Sequence, residues 1–145
     1  MSEMSYRHSV SVGAAIYSSE RDEFLLIRRA DTGEWQLPGG VLEEDEGPLA
    51  GLAREVMEET GVTIKPVRLT GVYKNMKIGV IALVFLAEYT AGETSTSSES
   101  LAVEWHPRKS IPDLMSPAFA CRLLDAVDGS AEVAIRMNDG TNILQ

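Results

Sequence analysis

The chain has 145 residues, a length that predicts a single domain over residues 1–145 with a core of its own. Its 13 Lys and Arg residues against 22 Asp and Glu residues give a net charge of −9, which argues against binding to nucleic-acid polymers or anionic membranes. No stretch approaches the roughly 20 apolar residues of a membrane span. The start, Met1–Ser5, lacks the regions of a secretory signal, and the single Cys121 excludes an internal disulfide and a cysteine-rich metal site. We therefore expect a cytoplasmic protein.

Strands are predicted where a short apolar run is bounded by polar or turn-forming residues. In chain order, these runs cover residues 10–17, 24–27, 62–73, 78–89, 101–105 and 131–137. Loops are predicted at residues 31–40, which contain Pro38 and a Gly pair, and at residues 91–100, which are rich in Ser and Thr. Helices are predicted at residues 48–60 and 116–127. Strands interleaved with at least two helices predict an α/β sandwich with a mixed sheet.

The predicted helix at Pro48–Thr60 has well-marked ends. Gly47 suits the N-cap position, and Pro48 suits the first helical position, where a missing N–H costs nothing. Gly61 suits the left-handed position that follows the last turn.

Two faces of this helix differ in chemistry. At about 100° per residue, an apolar stripe that should pack on the sheet contains Leu49, Leu52, Ala53, Val56 and Thr60. A second stripe carries Glu55, Glu58 and Glu59, which are neighbours because they are related as i, i+3 and i+4. Such carboxylates repel one another unless a cation compensates them, and carboxylate oxygens are the ligands that Mg²⁺ and Mn²⁺ prefer. A solvated acidic face is the alternative, and the helix alone does not choose between the two.

A longer sequence pattern surrounds the helix. Gly40 is followed after five residues by Glu46 and after seven more by Arg54-Glu55-Val56-Met57-Glu58-Glu59-Thr60-Gly61-Val62. This arrangement resembles the Nudix box, and every specified position of the box is matched between Gly40 and Val62. The residues just upstream, Trp35–Gly40, also resemble the usual entry to the box.

The resemblance implies a fold, a reaction and a metal. Nudix proteins share an α/β/α sandwich around a mixed β-sheet, and most hydrolyse a nucleoside diphosphate linked to another group, with Mg²⁺ or Mn²⁺. Carried over by position, Glu55, Glu58 and Glu59 are expected to bind the metal. A backbone carbonyl of Gly39 or Gly40 is expected to add a further ligand.

The resemblance also implies residues that support the reaction. Arg54 is expected to orient the carboxylates by a salt bridge, with Glu46 as a partner. The proton acceptor is either a box glutamate or an acid on a later loop. Glu99 lies six residues before Trp105, a spacing that resembles the family's accessory loop acid, and we rank it above Glu104.

Substrate-binding residues are expected upstream of the box. Arg28 and Arg29 end a strand at a position that often faces substrate phosphate in the family, although a solvated strand end is an equal alternative. Trp35 offers a ring for stacking on a base.

The choice of substrate depends on loops outside the box. Residues 77–80 carry neither the Pro that marks ADP-ribose enzymes nor the Tyr that marks dinucleoside-polyphosphate enzymes in the family. We therefore expect a small MutT-like nucleotide pyrophosphohydrolase. ADP-ribose and nucleotide-sugar substrates stay open, as does a homodimer. A catalytically silent nucleotide sensor is the rival class, and it is disfavoured because all four box glutamates are present.

Overall fold

The computed structural model describes residues 6–145. Residues 1–5, for which the sequence predicts no secretory signal, lie outside the described residues. The strands are β1 (Ser9–Ser18), β2 (Glu23–Arg29), β3 (Trp35–Gln36), β4 (Gly39–Val41), β5 (Thr63–Asn75), β6 (Val80–Ala91), β7 (Ser100–Pro107) and β8 (Ala134–Asn138). The helices are α1 (Pro48–Thr60), α2 (Ile111–Leu114) and α3 (Pro117–Leu124), with 3₁₀ turns at Arg108–Ser110 and Asp125–Val127. Within this part of the chain, no helix is long and apolar enough to cross a membrane.

The strands form one mixed sheet in the order β3-β2-β1-β6-β5-β8, and β4 and β7 pair with β1 and β2. The β1–β6 and β5–β8 pairs are parallel, and the remaining pairs are antiparallel. Because β8 closes one edge of the sheet, residues after the second predicted helix belong to the same sheet as the box. The α/β architecture with a mixed sheet is confirmed.

Alternate residues of β1 point to opposite faces of the sheet, as the pleat requires. Ala14 packs with Leu52 and Val56 of α1, whereas Ala15 packs with Leu123 of α3. The first half of β1 also pairs with β4. Helix α1 therefore lies beside the strand that carries the two glycines of the box entry.

Helix α1 has the predicted bounds, and Gly61 ends it in the left-handed conformation with φ 79°. The predicted buried stripe is wrong in part, because Leu49 is 55% exposed and Ala53 is also exposed. The buried residues of the helix are Gly51, Leu52, Val56, Glu59 and Thr60. At 100° per residue, this set is rotated by roughly 60° about the helix axis from the predicted stripe. The rotation buries Glu59, which finds a backbone hydrogen-bond donor there.

Smaller differences concern short elements. The predicted loop at residues 31–40 contains β3 and the start of β4, and both strands are too short to show a period in the sequence. Helix α2 was not predicted, and the second predicted helix ends at Leu124, where a 3₁₀ turn replaces it. The last strand begins at Ala134 rather than at residue 131.

Candidate active site

Glu59 is a buried carboxylate in the last turn of α1, with 5% of its surface exposed. Its Oε1 accepts a hydrogen bond from the Gly39 N–H at 2.7 Å, and the Ser100 hydroxyl donates to its carbonyl oxygen at 2.8 Å. Burial raises the pKa of Glu59 to about 7, and the negative charges of Glu55 and Glu99 act in the same direction. The site thus concentrates negative charge that one backbone N–H only partly compensates.

Glu55 lies against the backbone of β4. A methyl group on Gly40 would come 2.5 Å from the Glu55 carboxyl carbon, so a larger residue there would displace this carboxylate. Burial raises the pKa of Glu55, and the neighbouring Arg54 opposes that rise. The two glycines of the box entry therefore each contact one carboxylate of α1.

Arg54 binds several carboxylates at once. Its Nη2 and Nε lie 2.6 and 3.0 Å from the two oxygens of Glu46, which is a bidentate pair. Its Nη1 lies 3.0 Å from Glu55 and 3.2 Å from Glu58. The Arg54 guanidinium lowers the pKa of Glu46 to about 2. These contacts show the salt bridges that the sequence predicted for Arg54.

Glu58 differs from its two neighbours because 59% of its side chain is exposed and it points toward Arg54. Among residues 6–145, no three acidic, histidine or cysteine side chains are grouped so that they could hold a metal ion as they stand. Two of the three predicted carboxylate ligands, Glu55 and Glu59, therefore face β4, and the third lies at the rim.

A cleft of about 390 Å³ opens beside Glu59 and is also lined by Arg29, Asp31 and Glu99. The Glu99 carbonyl accepts a hydrogen bond from the Ala30 N–H at 2.9 Å, which ties the Ser-rich loop to the end of β2. The Arg29 guanidinium makes two bonds to Asp31, at 2.8 and 2.6 Å. The structure thus brings Glu99 and Arg29 to the box carboxylates.

The other predicted residues lie elsewhere. Arg28 is exposed and donates to the Gly33 carbonyl at 2.9 Å. Glu104 is exposed and lies 3.2 Å from His106. Trp35 packs against the core, with its ring 4.4 Å from that of His106, and lines a further cleft of about 200 Å³.

Another cleft, of about 250 Å³, was not predicted from the sequence. It is lined by Gly39, Gly40 and Arg29 and by Phe119 and Arg122 of α3. The spacing of α3 predicts a helix that packs on the sheet, but nothing local to it indicates that one end faces the box. The arrangement therefore joins a carboxylate cluster to a cleft with an aromatic ring and two cations.

Such a site combines oxygen ligands for a hard metal cation with arginine side chains that can donate hydrogen bonds to phosphate oxygens. Phosphoryl-transfer reactions require both features. The comparisons agree with this chemistry. The NUDIX domain family model matches residues 7–125 of the chain.

The chain is also similar to individual proteins. It is 49% identical over 137 residues to a MutT-like protein of Streptomyces ambofaciens, and the aligned region covers 94% of this chain and 88% of the relative. It is 40% identical over 105 residues to the 8-oxo-dGDP phosphatase NUDT18 of Mus musculus, covering 68% of this chain but only 32% of that longer protein. The crystal structure of a MutT protein from Methanosarcina mazei Go1 matches with a TM-score of 0.74 at 29% identity, covering 90% of this chain and 100% of that one. The chain therefore belongs to the Nudix family, as a MutT-like pyrophosphohydrolase.

Proposed function

We propose that the chain hydrolyses the phosphoric anhydride of a nucleotide with Mg²⁺ or Mn²⁺ held by the carboxylates of α1. The observation that carries the proposal is the buried Glu59 carboxylate, 5% exposed, which stands beside Glu55 and has one backbone N–H as its donor. Two such carboxylates in a partly buried place are stabilised by a cation.

The residues present fit a hard divalent cation. The proposed ligands are Glu55, Glu58 and Glu59, with a carbonyl of Gly39 or Gly40, and all of them are oxygen donors. Glu58 would join the set by turning away from Arg54, a contact of 3.2 Å at the surface. When bound, the cation would screen the charge of the diphosphate and make water a better nucleophile.

The chain's own residues would orient the substrate and accept the proton. Arg54 contacts three carboxylates of the box, so we assign it a role in positioning them. Glu99 shares the cleft of Glu59, and we assign it the role of proton acceptor from the attacking water. The water oxygen bonds to a phosphorus while the anhydride P–O bond breaks, which releases a nucleoside monophosphate and pyrophosphate from a nucleoside triphosphate.

Arg29 is the proposed phosphate ligand. It lines both the cleft of Glu59 and the cleft that ends at α3, and its pairing with Asp31 holds the guanidinium in place. A substrate phosphate between the two clefts would meet this cation. Arg28, bound to the Gly33 carbonyl, is a weaker candidate, and Trp35, which lines a separate cleft adjoining that of Gly39 and Gly40, is also a weaker candidate.

The proposed substrate class is a nucleoside triphosphate or a related nucleoside diphosphate derivative. Support comes from the MutT-like relative and from the 8-oxo-dGDP phosphatase with which this chain shares one region. A single domain, a cytoplasmic location and a possible homodimer stay predictions.

The test is a panel of nucleoside triphosphates, nucleoside diphosphates, ADP-ribose and nucleotide sugars, with Mg²⁺ or Mn²⁺ and a coupled phosphate assay. We expect metal-dependent turnover of at least one nucleoside triphosphate. Glu99→Gln should lower kcat while leaving the affinity for Mn²⁺ unchanged, and Glu104→Gln is the matched control on the same segment. No turnover of any anhydride in the panel would contradict the proposal, and equal kcat in Glu99→Gln would remove Glu99 from the mechanism.

A further inference from the structure

The cleft that adjoins the box ends at Arg122, whose Nε has no hydrogen-bond acceptor in the described part of the chain. The guanidinium carbon of Arg122 lies 4.6 Å from the centre of the Phe119 ring and 5.5 Å from that of the Tyr73 ring. Its Nε is buried and has no hydrogen-bond partner within residues 6–145. Arg29 and Arg54, in contrast, are each paired with a carboxylate.

An arginine in this state is costly for the fold. The buried Nε–H loses its hydration, and the contacts with the two aromatic rings do not supply a hydrogen-bond acceptor in its place. Burial also lowers the pKa of Arg122, which shows that desolvation outweighs the nearby groups that favour its charge. A ligand that brings an acceptor atom to this guanidinium would remove that cost.

The position of the arginine indicates which part of a ligand it meets. Its cleft is also lined by Gly39 and Gly40, the residues against which the proposed metal ligands pack. An adjoining cleft of about 200 Å³ shares Gln36 and Phe119 with it, and together the two fall within the roughly 300–1,000 Å³ of small-molecule sites. A nucleotide with its phosphates at the glycines would extend its base toward α3.

We infer that Arg122 is a specificity-determining residue that reads the edge of the base. The inference rests on the proposed function. A guanidinium only donates hydrogen bonds, so it pairs with a carbonyl oxygen and not with an amino group. Arginine facing the O6 and N7 atoms of guanine is the commonest pairing of this kind. The site therefore selects bases with a carbonyl oxygen at the O6 position of a purine or the O4 position of a pyrimidine, such as guanine, hypoxanthine and uracil, over adenine and cytosine, which carry an amino group there.

The experiment compares substrates that differ at this one feature. ITP and ATP differ in having a carbonyl or an amino group at the same ring position, and UTP and CTP form a second pair. We expect kcat/KM for ITP to exceed that for ATP by about tenfold or more. Arg122→Gln should bring the ratio to within about threefold, because a rotated amide both donates and accepts. Arg68→Gln, which removes a surface arginine bonded to the Ser130 carbonyl, should leave the ratio unchanged.

A second readout separates this inference from the proposed function. IMP should bind more tightly than AMP in a titration without metal, and Arg122→Gln should remove that preference. Arg122→Lys keeps the charge without the planar fork, so it should retain part of the preference and serve if the glutamine variant does not fold. Equal losses on ITP and ATP in a folded Arg122→Gln protein would overturn the inference, because they would indicate a phosphate-binding role. Cleavage of ITP and ATP at equal rates by the parent would also overturn the inference about Arg122, but it would leave the proposed function standing. Preferential binding of IMP without turnover of any substrate would contradict only the proposed function.

Discussion

Glu59→Gln should make the protein more stable and less active. In the metal-free protein, the buried Glu59 carboxylate has a pKa of about 7 against an ordinary value of 4.5, because burial disfavours its ionised form. The glutamine side chain keeps an oxygen that can accept the Gly39 N–H but carries no charge. The substitution therefore removes the electrostatic cost and the proposed metal ligand together.

The size of the effect follows from the difference between the two pKa values. Between pH 4.5 and about 7 the folded state binds a proton that the unfolded state has lost, so the free energy of unfolding falls as the pH rises through this window. At 1.36 kcal/mol per pH unit, the full interval corresponds to about 3 kcal/mol as an upper limit. We expect a gain of about 1–3 kcal/mol for Glu59→Gln at pH 8 and a much smaller change at pH 4.

Urea unfolding of the parent and the variant, in a chelator at pH 4 and pH 8, measures this gain. Added Mg²⁺ should stabilise the parent more at pH 8 than at pH 5, because the cation binds the ionised carboxylate, and it should stabilise the variant less. Glu44→Gln, a change at an exposed acid of the box loop, is the control. A variant that is destabilised at pH 8, or equally changed at both pH values, would refute the reasoning from buried charge.

Three further predictions concern Gly40, Tyr73 and Glu46. Gly40→Ala should lower kcat by more than tenfold while the protein stays folded, because the added methyl group comes 2.5 Å from the Glu55 carboxyl carbon. An unchanged kcat would show that Glu55 can move without loss of activity. Tyr73→Phe should cost about 1.5–3 kcal/mol in urea unfolding, because the buried Tyr73 hydroxyl donates to Asp125 at 2.8 Å; a change below 0.5 kcal/mol would contradict it. Glu46 has a folded pKa of about 2, so its contribution is present above pH 4.5 and is lost as the pH falls toward 2. Glu46→Gln should therefore reduce the loss of unfolding free energy between pH 4.5 and about 2. An identical loss in the parent and the variant would show that the ionised Glu46 does not contribute to it.

The sequence predicts those features that depend on neighbouring residues. The bounds of α1 follow from Pro48 at its start and Gly61 at its end, and both act through the local backbone. The pairing of Arg54 with Glu46 follows from the family pattern, and the structure shows it with two short bonds.

Features that depend on distant residues could not be predicted in the same way. The burial of Glu59 requires the Gly39 N–H, twenty residues earlier, so the helix pattern alone placed this residue on the polar stripe. The cleft at Arg122 requires α3 to lie beside the glycines of β4, which the sheet order decides. No local signal marked the Arg122 Nε as lacking a hydrogen-bond partner among the described residues, because the aromatic rings around it belong to two different elements.

The most direct test of the account is a titration of Mn²⁺ into the parent protein and into single Glu→Gln variants at residues 55 and 59. The account predicts that each variant binds Mn²⁺ at least tenfold more weakly than the parent, since each change removes a charged oxygen ligand. Glu44→Gln, at an exposed position of the box loop, should bind as the parent does. Unchanged Mn²⁺ affinity in both site variants would contradict the claim that the carboxylates of α1 hold the catalytic cation.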